Sequence, residues 1–354
     1  MSRLHDVVVV GAGSFGAWTA FHLKRAGARV LLIDQHGAGN ARSSSGGESR
    51  IIRMAYGDDA IYTRGSLRSL AWWKEVCPLL FHRTGVLSTA APDDPYFVAS
   101  RKTLKTCGVP HEVLNHAAMR KRFPQLTLDH GTSGIWEPES GVILARRAVQ
   151  AVVETSGVDY EIRTAGADLR GGTVVYACGP WLPKLFPEIL RGRIRPTRQE
   201  VFFFGTPPGY AFTQTWLAWR EGVYSIPALD GRGFKIAIDT HGPAFDPETG
   251  GREMTRGALN IARATLRQRF PDLAKAPLLE MRVCQYENTS NGDFLIDRHP
   301  SRKNFWLVGG GSGHGFKHGP FVGEYVASQI AGTAPAEPRF SLATKRTTSQ
   351  RSVY

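Results

Sequence analysis

Cysteine is scarce in this sequence: four in 354 residues, at positions 77, 107, 178 and 284. They are too few and too scattered for the disulfide framework of a small secreted fold. None belongs to a Cys-x-x-Cys pair and the histidines show no His-Glu-x-x-His spacing, so no structural or catalytic metal is expected. Nothing approaches the roughly 20 consecutive apolar residues of a membrane span. Residues 1–6 lead straight into Val7–Val10 without the apolar stretch and cleavage site of a secretory signal. A cytoplasmic protein without a membrane partner is the expectation.

Long basic runs are missing too, although the net charge is +13. The arginines are spread along the whole chain, no RNA-recognition or zinc-finger motif is present, and the concentration at Lys345–Arg351 reads as a solvated end. Nucleic acid is therefore not the expected partner. A positive field of this kind favours an anionic small substrate.

What remains is ordinary globular composition, 42% hydrophobic and 21% charged, in a chain long enough for about two domains. Its first thirty-four residues carry the clearest pattern. Asp6–Val10 is a continuous apolar run suited to a buried parallel strand. Gly11-Ala-Gly-Ser-Phe-Gly16 then opens a helix predicted to reach Arg25, Gly27 stops it, and Ala28–Ile33 is a second strand ending at Asp34. In such a βαβ unit Gly11 permits the tight turn, Gly13 lets the backbone approach a pyrophosphate, and Gly16 allows close helix–strand packing. The helix start offers free amides to phosphate, and Asp34 stands where a carboxylate can accept from a ribose.

Two further segments belong to the same layered fold by pattern. Residues 172–181 read as a buried strand ending in a glycine turn, and Phe305–Val308 as another, followed by the Gly-rich element Gly309–Lys317. Behind it Val322, Tyr325, Val326 and Ile330 mark one face of a helix. The segments Gln199–Phe204, Val223–Pro227 and Phe234–Thr240, separated by Pro, Gly and Asp turns, read instead as an antiparallel sheet, with a helix near Thr255–Phe270. The fold class is thus α/β, a discontinuous Rossmann-type domain plus a second α+β domain whose antiparallel sheet covers the substrate. No internal repeats or low-complexity tracts occur.

Several residues could carry chemistry. Arg50 and Arg53 flank two isoleucines just after a Ser/Gly loop; their spacing suits a solvated face or a bidentate carboxylate clamp equally. Gly309–Lys317, fed by a buried strand, can present backbone amides to an anionic or electron-rich group. Strand alternation puts Lys235 and Asp239 on one face. Cys284, flanked by apolar residues, reads by itself as an inert core thiol.

These pieces, in this order, resemble the monomeric sarcosine oxidase family within the D-amino-acid-oxidase-like flavoproteins, over nearly the whole length. The resemblance rests on Gly11–Gly16, Ser49–Gly57, Gly233–Ile236, Cys284 with Asp293–Asp297, and Ser312–Lys317. It implies FAD held by Gly11, Gly13, Ser14, Phe15, Gly16 and Asp34, by Ser45 and Arg50, and by Gly311, Gly313, His314, Gly315 and Lys317. Cys284 would carry a covalent thioether to the flavin. Arg53 and Lys317 would hold the substrate carboxylate, with Tyr224 and Asp239 beside it. Lys235 would promote the reaction of reduced flavin with oxygen, and Arg50 would sit beside the isoalloxazine. The implied domains are 1–84, 141–195 and 285–354 for FAD and 85–140 and 196–284 for the substrate. The implied reaction is oxidation of a small secondary amine or amino acid bearing a carboxylate to an imine, with O2 reduced to hydrogen peroxide, by a monomer. An amine dehydrogenase with another electron acceptor, or a flavoprotein acting on tRNA, is the alternative.

Two positions depart from the family pattern. Gly46 stands where sarcosine oxidases have a histidine in the flavin-side loop, and Asp239 stands where they have an active-site histidine. Asp239 would either pair with a neighbouring arginine or favour a substrate with an added positive charge. Relatives act on N-methyltryptophan, pipecolate, glycated amino acids and biosynthetic imines, and the sequence does not choose among them.

Overall fold

A computed structural model describes residues 5–163 and 171–349. Strand β1 (His5–Val10), helix α1 (Ser14–Arg25) and strand β2 (Val30–Asp34) form the βαβ unit that the glycine spacing predicts. Val8 and Val9 are fully covered, and so is Leu32 of β2. Burying each such side chain stabilises the fold by roughly 1.5–3 kcal/mol. Gly27, with φ +90°, ends the helix as expected.

A six-stranded sheet grows around this unit in the order Leu295–His299, Arg302–Gly309, Gly171–Tyr176, β1, β2, Asp159–Ile162. All neighbours are parallel except the first pair, which is antiparallel. Helix Gly319–Ala331 lies against α1, so closely that a Cβ on Gly323 would stand 2.4 Å from the backbone of Trp18. Val322 and Val326 are fully buried there, while Tyr325 and Ile330 are partly covered at the edge of that face.

The second sheet has eight strands in the order Leu278–Thr289, Ile194–Phe204, Phe234–Ile238, Val223–Ile226, Thr215–Ala218, Val86–Ala90, Ser133–Glu137, Glu112–Leu114. It is antiparallel except between Val86–Ala90 and Thr215–Ala218, which run parallel. Ile194–Phe204 begins five residues earlier than the apolar run suggests, because Arg195, Thr197 and Arg198 pair along Leu278–Thr289 whatever their polarity. Helix Arg256–Arg269 is capped by Thr255, whose side chain accepts from the Ala258 amide. With its C-cap Phe270 it covers one face of the sheet over Phe202, Phe204 and Phe234.

One expectation fails at the C-terminal end. Lys345 is not solvated: it is 1% exposed, and its ammonium donates to the Arg339 carbonyl at 2.6 Å. Residues 346–349 are exposed, and Arg351 lies outside the described residues. No helix among the described residues is long and apolar enough to cross a membrane.

Candidate active site

Two cavities meet at the C-terminal edge of the parallel sheet. The first, about 300 Å³, opens over the βαβ unit and is lined by Gly11, Gly13, Asp34, Ser45 and Glu287. Gly11 has φ +102°, and a Cβ there would stand 2.5 Å from the Ala177 carbonyl oxygen. A Cβ on Gly16 would stand 1.8 Å from the Gly11 carbonyl oxygen, so only glycine lets α1 start this close to β1. The Ser14 amide donates to Ser45 Oγ at 2.9 Å, which ties the Ser/Gly loop to the helix start. Asp34 Oδ2 accepts from the Ala12 amide at 2.7 Å, and Oδ1 from the His36 amide at 2.8 Å. Phe15, also in this wall, packs edge-on against Phe294 and so serves the core as well.

The cavity has the chemistry of a dinucleotide site. Glu287 Oε1 accepts from the Gly311 amide at 3.2 Å, but Oε2 is buried without a partner, as is Ser44 Oγ. Both residues line the cleft, where the hydroxyls of a ribose or ribityl chain would satisfy them. Burial pushes the Glu287 carboxyl up to about 7. The residues present fit FAD.

The second cavity, about 260 Å³, abuts the first and shares Arg50, Tyr286, Gly313 and Phe316 with it. Arg50, Arg53, Tyr224, Asp239, Cys284, His314 and Lys317 all stand in its wall. Residues from positions 50 to 317 thus converge on one space. The Arg50 guanidinium donates to the carbonyls of Ser44 (2.6 Å) and Ser49 (2.8 Å) and lies 3.2 Å from Cys284 Sγ. Cys284 is therefore a half-buried wall residue at the junction of the cavities, not a core thiol.

Arg53 is 5% exposed, which removes the solvated-face reading. It donates to the Ala55 carbonyl and lies over the Tyr56 ring, 4.7 Å from its centroid. Lys317 is 7% exposed and donates to Tyr56 Oη at 2.9 Å and the His314 carbonyl at 3.2 Å. Burial, and then the neighbouring Arg53, hold its pKa well below the usual lysine range. Desolvated cations facing a cavity make it receptive to an anion.

Lys235 is placed differently. It is 1% exposed, lies outside the cavity wall, and donates to the Ser49 carbonyl at 3.0 Å. Burial, reinforced by Arg50, lowers its pKa to about 7. Asp239 sits one residue beyond the strand Phe234–Ile238 and accepts from the Tyr286 hydroxyl at 2.6 Å. Its hydrogen-bond partner is thus a tyrosine rather than an arginine.

Three residues escaped the sequence reading. Glu137 accepts from the amides of Met54 (2.7 Å) and Ala55 (3.3 Å), the two residues after Arg53. Glu48 gathers Arg146, Arg232 and Arg282 behind the Ser/Gly loop. Tyr56 joins Arg53, Lys317 and His318. A glutamate inside an apolar strand, Ile135-Trp-Glu137, was the one available signal.

Residues 6–329 match the FAD dependent oxidoreductase family. The monomeric sarcosine oxidase of a Bacillus species is 32% identical, over 97% of this chain and 96% of its own. The human peroxisomal sarcosine oxidase is 30% identical over 91% of each. The N-methyl-L-tryptophan oxidase of Citrobacter koseri is 26% identical over 94% and 96%. Among solved structures, a fructosyl peptide oxidase from E. terrenum superposes with TM-score 0.83 at 20% identity, covering 96% of this chain and 92% of that one. An L-proline dehydrogenase from P. horikoshii reaches the same TM-score at 20% identity, covering 97% and 98%. With its glycine turn, dinucleotide cleft and adjoining cationic cavity, the chain belongs to the FAD-dependent oxidoreductase family, in the group of the monomeric sarcosine oxidases.

Proposed function

We propose that this protein oxidises the C–N bond of a small secondary amine or amino acid bearing a carboxylate to the imine, with O2 as electron acceptor and hydrogen peroxide as product. The observation that carries this reading is the placement of Arg53 and Lys317 in the wall of a cavity that abuts the dinucleotide cleft. When bound, FAD supplies a two-electron acceptor for the hydride that leaves the carbon next to nitrogen.

The chain's own residues do the rest. Arg53 and Lys317 clamp the carboxylate and fix that carbon in one place, which removes much of the entropic cost of the reaction. Arg50 is a fixed cation that stabilises negative charge developing beside it, and Lys235 adds to it when protonated. Lys235 is also the residue we assign to oxygen activation. Cys284, at the junction of the two cavities, is the position for a thioether to the flavin. FAD along the first cavity would be held by the Gly11–Gly16 turn, Asp34, Ser45 and the Gly311–Gly315 loop.

Oxygen uptake and peroxide formation with sarcosine, N-methyl-L-tryptophan and pipecolate test the proposal. Turnover should vanish when the carboxylate is esterified. Flavin bleaching without oxygen uptake would make the protein a dehydrogenase, and no bleaching by any carboxylate-bearing amine would overturn the substrate class. After acid precipitation, flavin absorbance should stay with the polypeptide and be released by Cys284→Ser.

A further inference from the structure

Among the described residues Asp239 is the one carboxylate in the wall of the second cavity, alongside Arg50, Arg53, Arg252, Arg282 and Lys317. Its place is fixed by its own amide, which donates to the Gly222 carbonyl at 2.6 Å. Oδ1 accepts from the Tyr286 hydroxyl, two residues beyond Cys284, at 2.6 Å. Among the described residues no other donor reaches the carboxylate, so Oδ2 remains available.

The Tyr286 phenol does not give up its proton to Asp239. Burial, and then the charge of Asp239 itself, hold it well above the ordinary tyrosine range. Tyr286 is therefore a permanent donor to Asp239. No salt bridge joins Asp239 to a lysine or arginine among the described residues. Arg53 and Lys317 reach Asp239 only through space, with no ion pair between them, so a ligand cation at this carboxylate would supply the direct partner it lacks.

We propose that Asp239 holds the nitrogen of the substrate as a cation, in the same cavity as the Arg53 and Lys317 clamp, so that the cavity selects a zwitterion. This rests on the carboxylate clamp proposed above. Two poles of opposite sign in one cavity complement a ligand with carboxylate and ammonium ends, and each pole alone would attract a different class. Asp239 is a specificity residue in this account. Because it favours the protonated amine, which has no lone pair to assist hydride departure, it strengthens binding rather than chemistry.

Two carboxylates of the same shape separate charge from size: glycine betaine, with a quaternary nitrogen, and 3,3-dimethylbutyrate, with carbon in its place. Their binding to the flavin-loaded protein is measured by calorimetry. The wild type should prefer betaine at least tenfold, and Asp239→Asn should abolish or invert that preference, chiefly by weakening betaine. Asp239→Ser should do the same, which guards against an Asn-specific misfold. An unchanged preference in both variants, or a wild type that prefers dimethylbutyrate, overturns the proposal. If the wild type binds neither, the carboxylate clamp itself fails, because both ligands carry that group.

Discussion

Lys235 and Arg50 share one acceptor: both donate to the carbonyl oxygen of Ser49, at 3.0 Å and 2.8 Å. The contact fastens the eight-stranded sheet to the loop over the cofactor cleft. It also sets two cations side by side out of water, which is why the lysine pKa falls to about 7.

That depression has a sign. A lysine whose folded pKa lies below its unfolded value costs nothing at a pH where both states are neutral. The cost grows as pH falls from 10.5 to about 7 and is constant below that. Lys235→Met should therefore raise the Tm at pH 7, with a gain that shrinks as the pH approaches 10. It should also slow reoxidation of the reduced flavin by oxygen roughly 10²–10³-fold, the scale for losing one preorganised charge. Stopped-flow reoxidation and pH-dependent melting check the two halves, and a rate within twofold of wild type would remove Lys235 from oxygen chemistry.

Glycine substitutions should separate two kinds of backbone demand. Gly16→Ala places a methyl 1.8 Å from the Gly11 carbonyl, so the turn must open and flavin should be lost. Gly27→Ala meets nothing within 4 Å and suffers only from its φ of +90°. It should cost about 1 kcal/mol and keep its flavin. The flavin-to-protein absorbance ratio of the purified variants decides, and equal ratios would contradict the packing argument.

The contrast explains what the sequence made legible. The glycine turn, Asp34 and the helix after Lys317 rest on local periodicity and spacing, so they could be placed to within a few residues. Cys284 looked like a core position and Lys235 only like one member of a strand face, because their meaning comes from elements far apart in the chain. Glu137 contacts Met54 across more than eighty residues of sequence, and no local pattern announces that pairing. The polar start of the strand Ile194–Phe204 was hidden for the same reason: its partner strand, not its own composition, makes it extended.

Glu137 should act on the substrate through Arg53. It holds the amides of Met54 and Ala55, and Ala55 in turn accepts from the Arg53 guanidinium. Glu137→Ala leaves two buried donors unpaired at a cost of roughly 2–4 kcal/mol and loosens the clamp. Its KM should rise with little change in kcat. Arg53→Lys, which keeps the charge but loses the planar fork, should lower kcat/KM roughly 10²-fold. Steady-state kinetics with a carboxylate-bearing amine test both, and a Glu137 variant defective only in kcat would assign it a different role.

Glu287 should make the stability of the flavin-free protein depend on pH. Its folded pKa, about 7, lies above the ordinary 4.5 because burial disfavours the carboxylate. A raised carboxyl leaves stability intact below 4.5 and erodes it as pH rises toward 7, after which the loss is constant. Glu287→Gln keeps an acceptor for the Gly311 amide and removes the charge. The variant should thus match wild type at pH 4.5 and exceed it by a few kcal/mol at pH 8, the scale of a shift of this size. Bound FAD should narrow the difference, because Oε2 then has a partner. Melting curves of both proteins across this pH range, with and without flavin, test the argument, and a constant offset at every pH would show that Glu287 is ionised throughout.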